Sequence, residues 1–429
     1  MCAILRCVTR FGARFSRYAG LLVACLATAA SYAQNASLSF NEALALSVRA
    51  APSLAAKMAQ AAAAQQTAIF SGELPDPKFV MGVENLPIAG PNRFDANAEA
   101  MTMRRIGIMQ EFNNGAKRRA RTVAAQSRAD MAVAETEVTR LSVLRETSVA
   151  WIMRASVENQ LARIDALATE NQLLAAAVRA KFVGGQTPTV DVVLPRLEAA
   201  AIEERRDELQ ARRQQAIAML RRWIGNAADL PLLGVAPDWP INNAALSERV
   251  TLHPELIAFD PKTRMLDAEV SEAQAAKRPD WALELAYQNR AAPFDDMIML
   301  QVSVDLPIFA GARQNPQIAA KQAERSALAA EREAVLREHG ALLEADLAEY
   351  QRLTNAVKRQ REVLLPLAEE KSILILAAWR GGKGSLMELI AARRERIDAD
   401  LKAIALEGER QQLAARLYYA YGHPAGELP

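Results

Sequence analysis

The feature that most constrains this chain is that it repeats itself. Ala51-Pro52-Ser53-Leu54 recurs as His253-Pro254-Glu255-Leu256, Pro77-Lys78-Phe79 as Pro279-Asp280-Trp281, and Gly115-Ala116-Lys117 as Gly311-Ala312-Arg313. Gly184-Gly185 recurs as Gly381-Gly382, with an acid beyond each pair (Asp191, Glu388), and Ile224-Gly225 recurs as Tyr421-Gly422. The offsets are 202, 202, 196, 197 and 197 residues. The change of six falls between two strands, where a loop absorbs it. Five landmarks in one order predict two copies of one unit, 34–225 and 251–429, joined by a linker at 226–250 that carries Pro231, Pro237 and Pro240.

Each copy opens with a helix. In the first, Ser39 with Glu42 three residues on predicts a capping box, and the Ala-rich body runs to Ser71-Gly72. In the second, the helix is expected over about 255–277. Two strands follow in each copy, about 77–86 and 101–112, then 280–288 and 297–307. Ile298, Leu300, Val302, Val304 and Leu306 alternate with Met297, Met299, Gln301, Ser303 and Asp305, a period of two with one apolar face. Trp281, Leu283, Leu285 and Tyr287 share one face of the partner strand, and Phe79, Met81 and Val83 alternate likewise. Each strand has about ten residues, the length that crosses a tilted bilayer span.

A long helix comes next. Ala116 to Val183 contains no Pro and no Gly, and Val157, Leu161, Ile164, Leu167, Leu174 and Val178 keep three-and-four spacing. Such a helix would span roughly 100 Å and needs antiparallel partners along its length. The Gly pairs break it, so helices are predicted at about 115–183 and 188–224, and again at 316–380 and 385–421.

The first 33 residues read as a secretory signal. Arg6, Arg10, Arg14 and Arg17 precede an apolar run, and Ser31-Tyr32-Ala33 supplies small residues before cleavage at Gln34. Leu22-Val23-Ala24-Cys25 also resembles a lipobox, which makes Cys25 a lipidation candidate. All three cysteines lie in this leader, so the mature chain would hold no disulfide and no thiolate metal site. Lys+Arg number 52 against 50 Asp+Glu, which excludes a strongly basic nucleic-acid binder. No later stretch has the ~20 apolar residues of a spanning helix.

Four strands with one apolar face must close, since a lipid-facing edge leaves backbone groups unsatisfied. Four are too few for a barrel, so several chains must share one. With its exported start, duplicated unit, Gly-Gly helix turns and strand-to-helix junction Gln110-Glu111-Phe112-Asn113-Asn114-Gly115-Ala116-Lys117-Arg118-Arg119, the chain resembles the TolC-like outer-membrane efflux channels. That junction and Glu84-Asn85-Leu86-Pro87 look most like the heavy-metal efflux branch, the CzcC- and CusC-like proteins.

The resemblance implies an α+β membrane protein: a homotrimer whose duplicated strand-strand-long-helical-hairpin unit builds a 12-stranded β-barrel in outer-membrane lipid, continuing into a periplasmic α-helical coiled-coil barrel. It implies a periplasmic membrane-fusion adaptor and an inner-membrane resistance-nodulation-division pump as partners. The conduit would be passive and do no chemistry, with no cofactor. The turns around Phe182, Gly184, Gly185, Gln186 and Thr187, and around Trp379, Gly381, Gly382, Lys383, Gly384 and Ser385, would be the tip that meets the adaptor. Glu388, with Asp191 as the weaker counterpart, would supply a carboxylate ring at a pore constriction. Ala391 stands where the family pattern often has a second acid.

Blander readings stand beside these. Acids on such helices mostly face water, and Gly pairs also simply end helices. Lys117, Arg118, Arg119 and Arg121 read as a solvated helix start and not as a nucleic-acid site. Met81, Met101, Met103, Met109, Met297 and Met299 could offer thioethers to soft cations, but Met more often fills apolar surface. His253, His339 and His423 are far apart and show no ligand spacing, and no phosphate loop or nucleophile constellation appears, so neither a metal site nor an enzyme is expected. The competing functions are the same channel for drugs or protein secretion, and a pore-less periplasmic coiled-coil scaffold.

Overall fold

The computed structural model describes residues 37–422. The leader 1–33, its cleavage site, Cys25 and His423 lie outside them. In chain order the elements are β1 (Leu38–Ser39), α1 (Phe40–Ala50), α2 (Pro52–Phe70), β2 (Lys78–Glu84), β3 (Met103–Phe112), α3 (Gly115–Val183) and α4 (Thr189–Ile224). They continue with β4 (Leu232–Leu233), α5 (Asn243–Glu248), α6 (Pro254–Ile257), α7 (Phe259–Ala275), β5 (Trp281–Arg290), β6 (Met297–Val304), α8 (Gln314–Arg359), α9 (Leu365–Arg380) and α10 (Leu386–Leu417). None of these helices is long and apolar enough to cross a membrane.

The chain forms two compact units, and neither coincides with one sequence copy. Among the described residues one, the helical unit, takes 37–51, 142–242 and 345–420. The other, the strand unit, takes 52–141, 243–344 and 421–422.

In the helical unit, the stripe expected on α3 is the buried one. Val157, Ile164 and Leu167 pack with Ile202 and Leu209 of α4 and Ile397 and Leu401 of α10. Ser39 caps α1 in the expected box with Glu42. The helix stops at Ala50, short of Ser71-Gly72, because Pro52 forces Ala51 into an extended conformation and removes a backbone donor. Residues expected as a linker are built in. Leu232 and Leu233 pair in parallel with Leu38 and Ser39. The Phe40 ring stands edge-on to Trp151 and Trp239. Arg154, fully buried, donates to the carbonyls of Ala228 and Leu230 at 2.7 and 2.8 Å. Before Pro366 the helical hydrogen bonds slip into a π turn at Gln360–Leu364, which absorbs the missing proline donor, so α8 and α9 replace one continuous helix.

In the strand unit, β2, β3, β5 and β6 form one antiparallel sheet in that order, open at β2 and β6. The helix expected at about 255–277 is divided into α6 and α7 at Ala258.

Candidate functional site

The sheet is built inside out. Register places Phe79 beside Ile108, Met81 beside Ile106, Ile108 beside Leu285, and Leu285 beside Leu300. These apolar side chains share one face and are exposed: Met81 is 73% accessible, Leu300 68% and Ile298 77%. The alternate positions carry the polar groups; at the centre of the sheet, on β5, these are covered, while Gln301 and Ser303 of the edge strand β6 are exposed. Glu284 and Gln288 are each 7% accessible. Arg105 pairs with both Glu84 and Glu284, and Gln288 Nε2 donates to Glu84 Oε2 at 3.0 Å. A sheet in water would put the same residues the other way round. The sequence alternation revealed the apolar face; it did not reveal the Arg105 hub, which joins three strands: Arg105 on β3, Glu84 on β2, and Glu284 and Gln288 on β5. Met81 lies on the apolar face, whereas Met299 lies on the polar one and its sulfur is 3.7 Å from Gln288 Nε2.

The strand-to-helix junction is a hydrogen-bond node. Asn114 caps α3 by accepting the Lys117 amide at 2.8 Å, and its own amide donates to Asp280 Oδ1 at 2.7 Å. Lys117 Nζ reaches Asp280 Oδ2 at 2.8 Å. Arg118 Nε donates to the Gly72 carbonyl, and Arg121 pairs with Glu272. Lys117, Arg118 and Arg121 of the basic run are therefore occupied locally, and Arg119 is exposed. Asp280, the second-copy counterpart of Lys78, is the residue that sequence reasoning missed here.

The helical unit holds both Gly-Gly turns, and their backbones match bond for bond. The amides of Gly184, Gly185 and Gln186 donate to the carbonyls of Ala180, Phe182 and Lys181. Those of Gly381, Gly382 and Lys383 donate to Ala377, Trp379 and Ala378. In each pair the second glycine takes positive φ, +65° at Gly185 and +73° at Gly382, which closes the helix in a Schellman-type turn. The ends of the two hairpins meet. Leu174, Val178, Leu386 and Leu389 form a cluster to which Val192, Leu194, Ile375 and Trp379 add, and Lys181 Nζ sits 4.1 Å from the Trp379 ring centroid. Beside this core lies uncovered apolar surface: Val183 is 81% accessible, Val190 61% and Met387 65%, with Phe182 also exposed. Gln186 and Lys383 are exposed as well.

The two candidate acids have local work. Glu388 forms a capping box with Ser385: the Ser385 amide donates to its carboxylate at 3.1 Å and the Glu388 amide to Ser385 Oγ at 3.2 Å. The backbone hydrogen bond, then the hydroxyl, hold the Glu388 carboxyl below the usual range. Asp191 accepts a hydrogen bond from the Thr187 hydroxyl. The structure also joins two histidines that sequence spacing kept apart: the rings of His253 and His339 lie tilted against each other with centroids 4.0 Å apart.

No protein-family model and no curated protein matches the sequence. Solved structures do match. A membrane protein from Pseudomonas aeruginosa superposes with a TM-score of 0.77 at 17% identity, over 89% of this chain and 90% of that one. The outer membrane protein VceC of Vibrio cholerae gives 0.73 at 17% identity, over 89% and 96%. CusC, described for its folding and transmembrane channel formation, gives 0.74 at 14% identity, over 90% and 92%. At such identities the likeness establishes the fold alone: this chain shares the architecture of these three proteins.

Proposed function

We propose that the chain is the outer-membrane channel subunit of a tripartite efflux system, a passive exit duct. The inside-out sheet carries this reading. An exposed apolar face opposite a face that carries Arg105, Glu84, Glu284 and Gln288 suits strands that meet lipid on one side and a lumen on the other. Two open edges suit closure with other copies; three chains of four strands would give a 12-stranded barrel. The fold shared with VceC and CusC supports the same reading. A pore-less scaffold has no use for such a sheet.

The hairpin turns are the proposed adaptor contact, supported by exposed Val183, Val190 and Met387 around a well-packed base. Periplasmic adaptor and inner-membrane pump are the proposed partners, and the pump would supply the energy. Heavy-metal cations are the proposed cargo, on the sequence resemblance at 84–87 and 110–119. Glu388 is the proposed constriction acid.

The reading is tested by planar-bilayer recording on the purified protein. Discrete conductance is expected, rising in variants that loosen the turns; silence in wild type and loosened variants alike overturns it. Cargo is tested by deleting the gene and growing cells on Cu, Ag, Zn, Co and Cd salts. Lost metal tolerance is expected, while intact tolerance with new drug sensitivity reassigns the cargo.

A further inference from the structure

We propose that His253, Glu255 and His339 form a binding site for a borderline divalent cation of the zinc class, within the strand unit. One potential ligand atom from each residue lies within 4.8 Å of the others. His339 Nε2 and Glu255 Oε2 are 3.1 Å apart. Two ligands held about 2.0–2.1 Å from a tetrahedral zinc ion sit roughly 3.3 Å apart, so this pair is already at ligand spacing. His253 lies beside them, its ring tilted by 38° to that of His339 with centroids 4.0 Å apart.

The surroundings fit a metal site. Tyr421 Oη lies 3.1 Å from Nδ1, the other nitrogen of His339. With Nε2 on a metal, Nδ1–H donates to that hydroxyl, the outer-shell contact that orients a ligating imidazole. His253 Nδ1 accepts the Glu255 amide at 3.3 Å, a long cap bond that coordination can replace. The His339 side chain is 13% accessible and that of Glu255 51%, so the site has a sheltered side and an open one. Glu255 borders a groove that also carries Lys57 and Lys262. Both ammonium groups are neutralised, by Glu135 at 2.7 Å and Glu331 at 3.2 Å. Two imidazoles and a carboxylate favour zinc or its neighbours over calcium and magnesium, with copper(II) binding tighter. Three protein ligands leave a fourth position open, as suits an exchangeable ion. Bound there, the cation ties the segment before α6 to the middle of α8.

This goes beyond the conduit reading and does not depend on it, because binding is read on the purified chain without transport. The test is zinc titration of chelator-stripped, tag-free full-length protein, followed by calorimetry and metal analysis, with thermal unfolding alongside. Wild type is expected to bind one zinc per chain and to melt higher with zinc. His253→Gln and His339→Gln should lose both effects. Tyr421→Phe should weaken binding about tenfold, as outer-shell changes do. Absence of saturable zinc binding in wild type overturns the site, as does undiminished binding in both histidine variants. Should those variants fail circular-dichroism checks of folding, exposed Glu255→Gln decides: binding weaker by at least about tenfold supports the site, and unchanged affinity overturns it.

Discussion

The two Gly-Gly turns share a backbone and differ in how the next helix begins. After Gly185 the chain reads Gln186-Thr187-Pro188, and α4 starts at Pro188 with no side-chain cap. After Gly382 it reads Lys383-Gly384-Ser385, and α10 starts in a full capping box. Gly384 stands where the first turn has Thr187. A Cβ there would lie 3.2 Å from the Trp379 amide nitrogen and 3.3 Å from Ala378 Cβ, so a larger residue would crowd the preceding helix. The carboxylates diverge accordingly: Asp191 is tied to a side-chain hydroxyl, Glu388 to a helix end. The two turns thus share the reversal, which backbone geometry demands, and differ in the entry to the return helix, where any helix start suffices.

Four measurements sharpen or break this contrast. The largest effect should be shared. Gly185→Val and Gly382→Val each place a β-branched residue at positive φ, at a cost of about 1–2 kcal/mol or more. Equal falls in unfolding midpoint are expected, and a fall at only one turn breaks the equivalence. Next, Ser385→Ala removes a cap worth about 1 kcal/mol, whereas Pro188→Ala, with no cap bond to lose, should change stability much less; equal losses would erase the distinction. Third, Glu388→Gln retains an N3 side chain that can still bond back to the Ser385 amide, so it isolates charge. Reduced cation selectivity in bilayer recordings is expected, with a smaller change for Asp191→Asn; unaltered selectivity in Glu388→Gln removes it from the constriction. The smallest effect is in pH. The folded Glu388 carboxyl is lowered from its ordinary 4.5. Its ionised form therefore contributes stability that is full above that value and lost as pH falls through the lower folded one. The gap in melting temperature between wild type and Glu388→Gln should shrink on acidification through that window, and a gap constant down to pH 3 contradicts the box.

Much of the fold was legible because it depends on local preference. The Ser39–Glu42 box, the Pro-free run of α3, its apolar stripe and the strand alternation all reappear. The misses have local causes too. Pro52, noticed as a repeat landmark, also breaks the first helix, and Pro366 is answered by a π turn at a position no spacing rule names. Glu388 was read for its charge, although Ser385-Leu386-Met387-Glu388 is also the sequence sign of a cap. The stretch 226–250 looked like a linker by its prolines, yet Trp239 joins the aromatic cluster of Phe40, Trp151, Tyr418 and Tyr419.

Sequence by itself determined the order of the long helices and sheet strands, the apolar face of three of those strands and the two reversals, because period, proline and glycine act within a few residues. Only the tertiary structure decided which polar groups meet. Arg105 joins Glu284, Asn114 joins Asp280, and His339 joins Glu255 across 84 positions. Such contacts leave no periodic trace, since each depends on where distant helices and strands pack, and the histidine cluster becomes a candidate metal site for that reason alone.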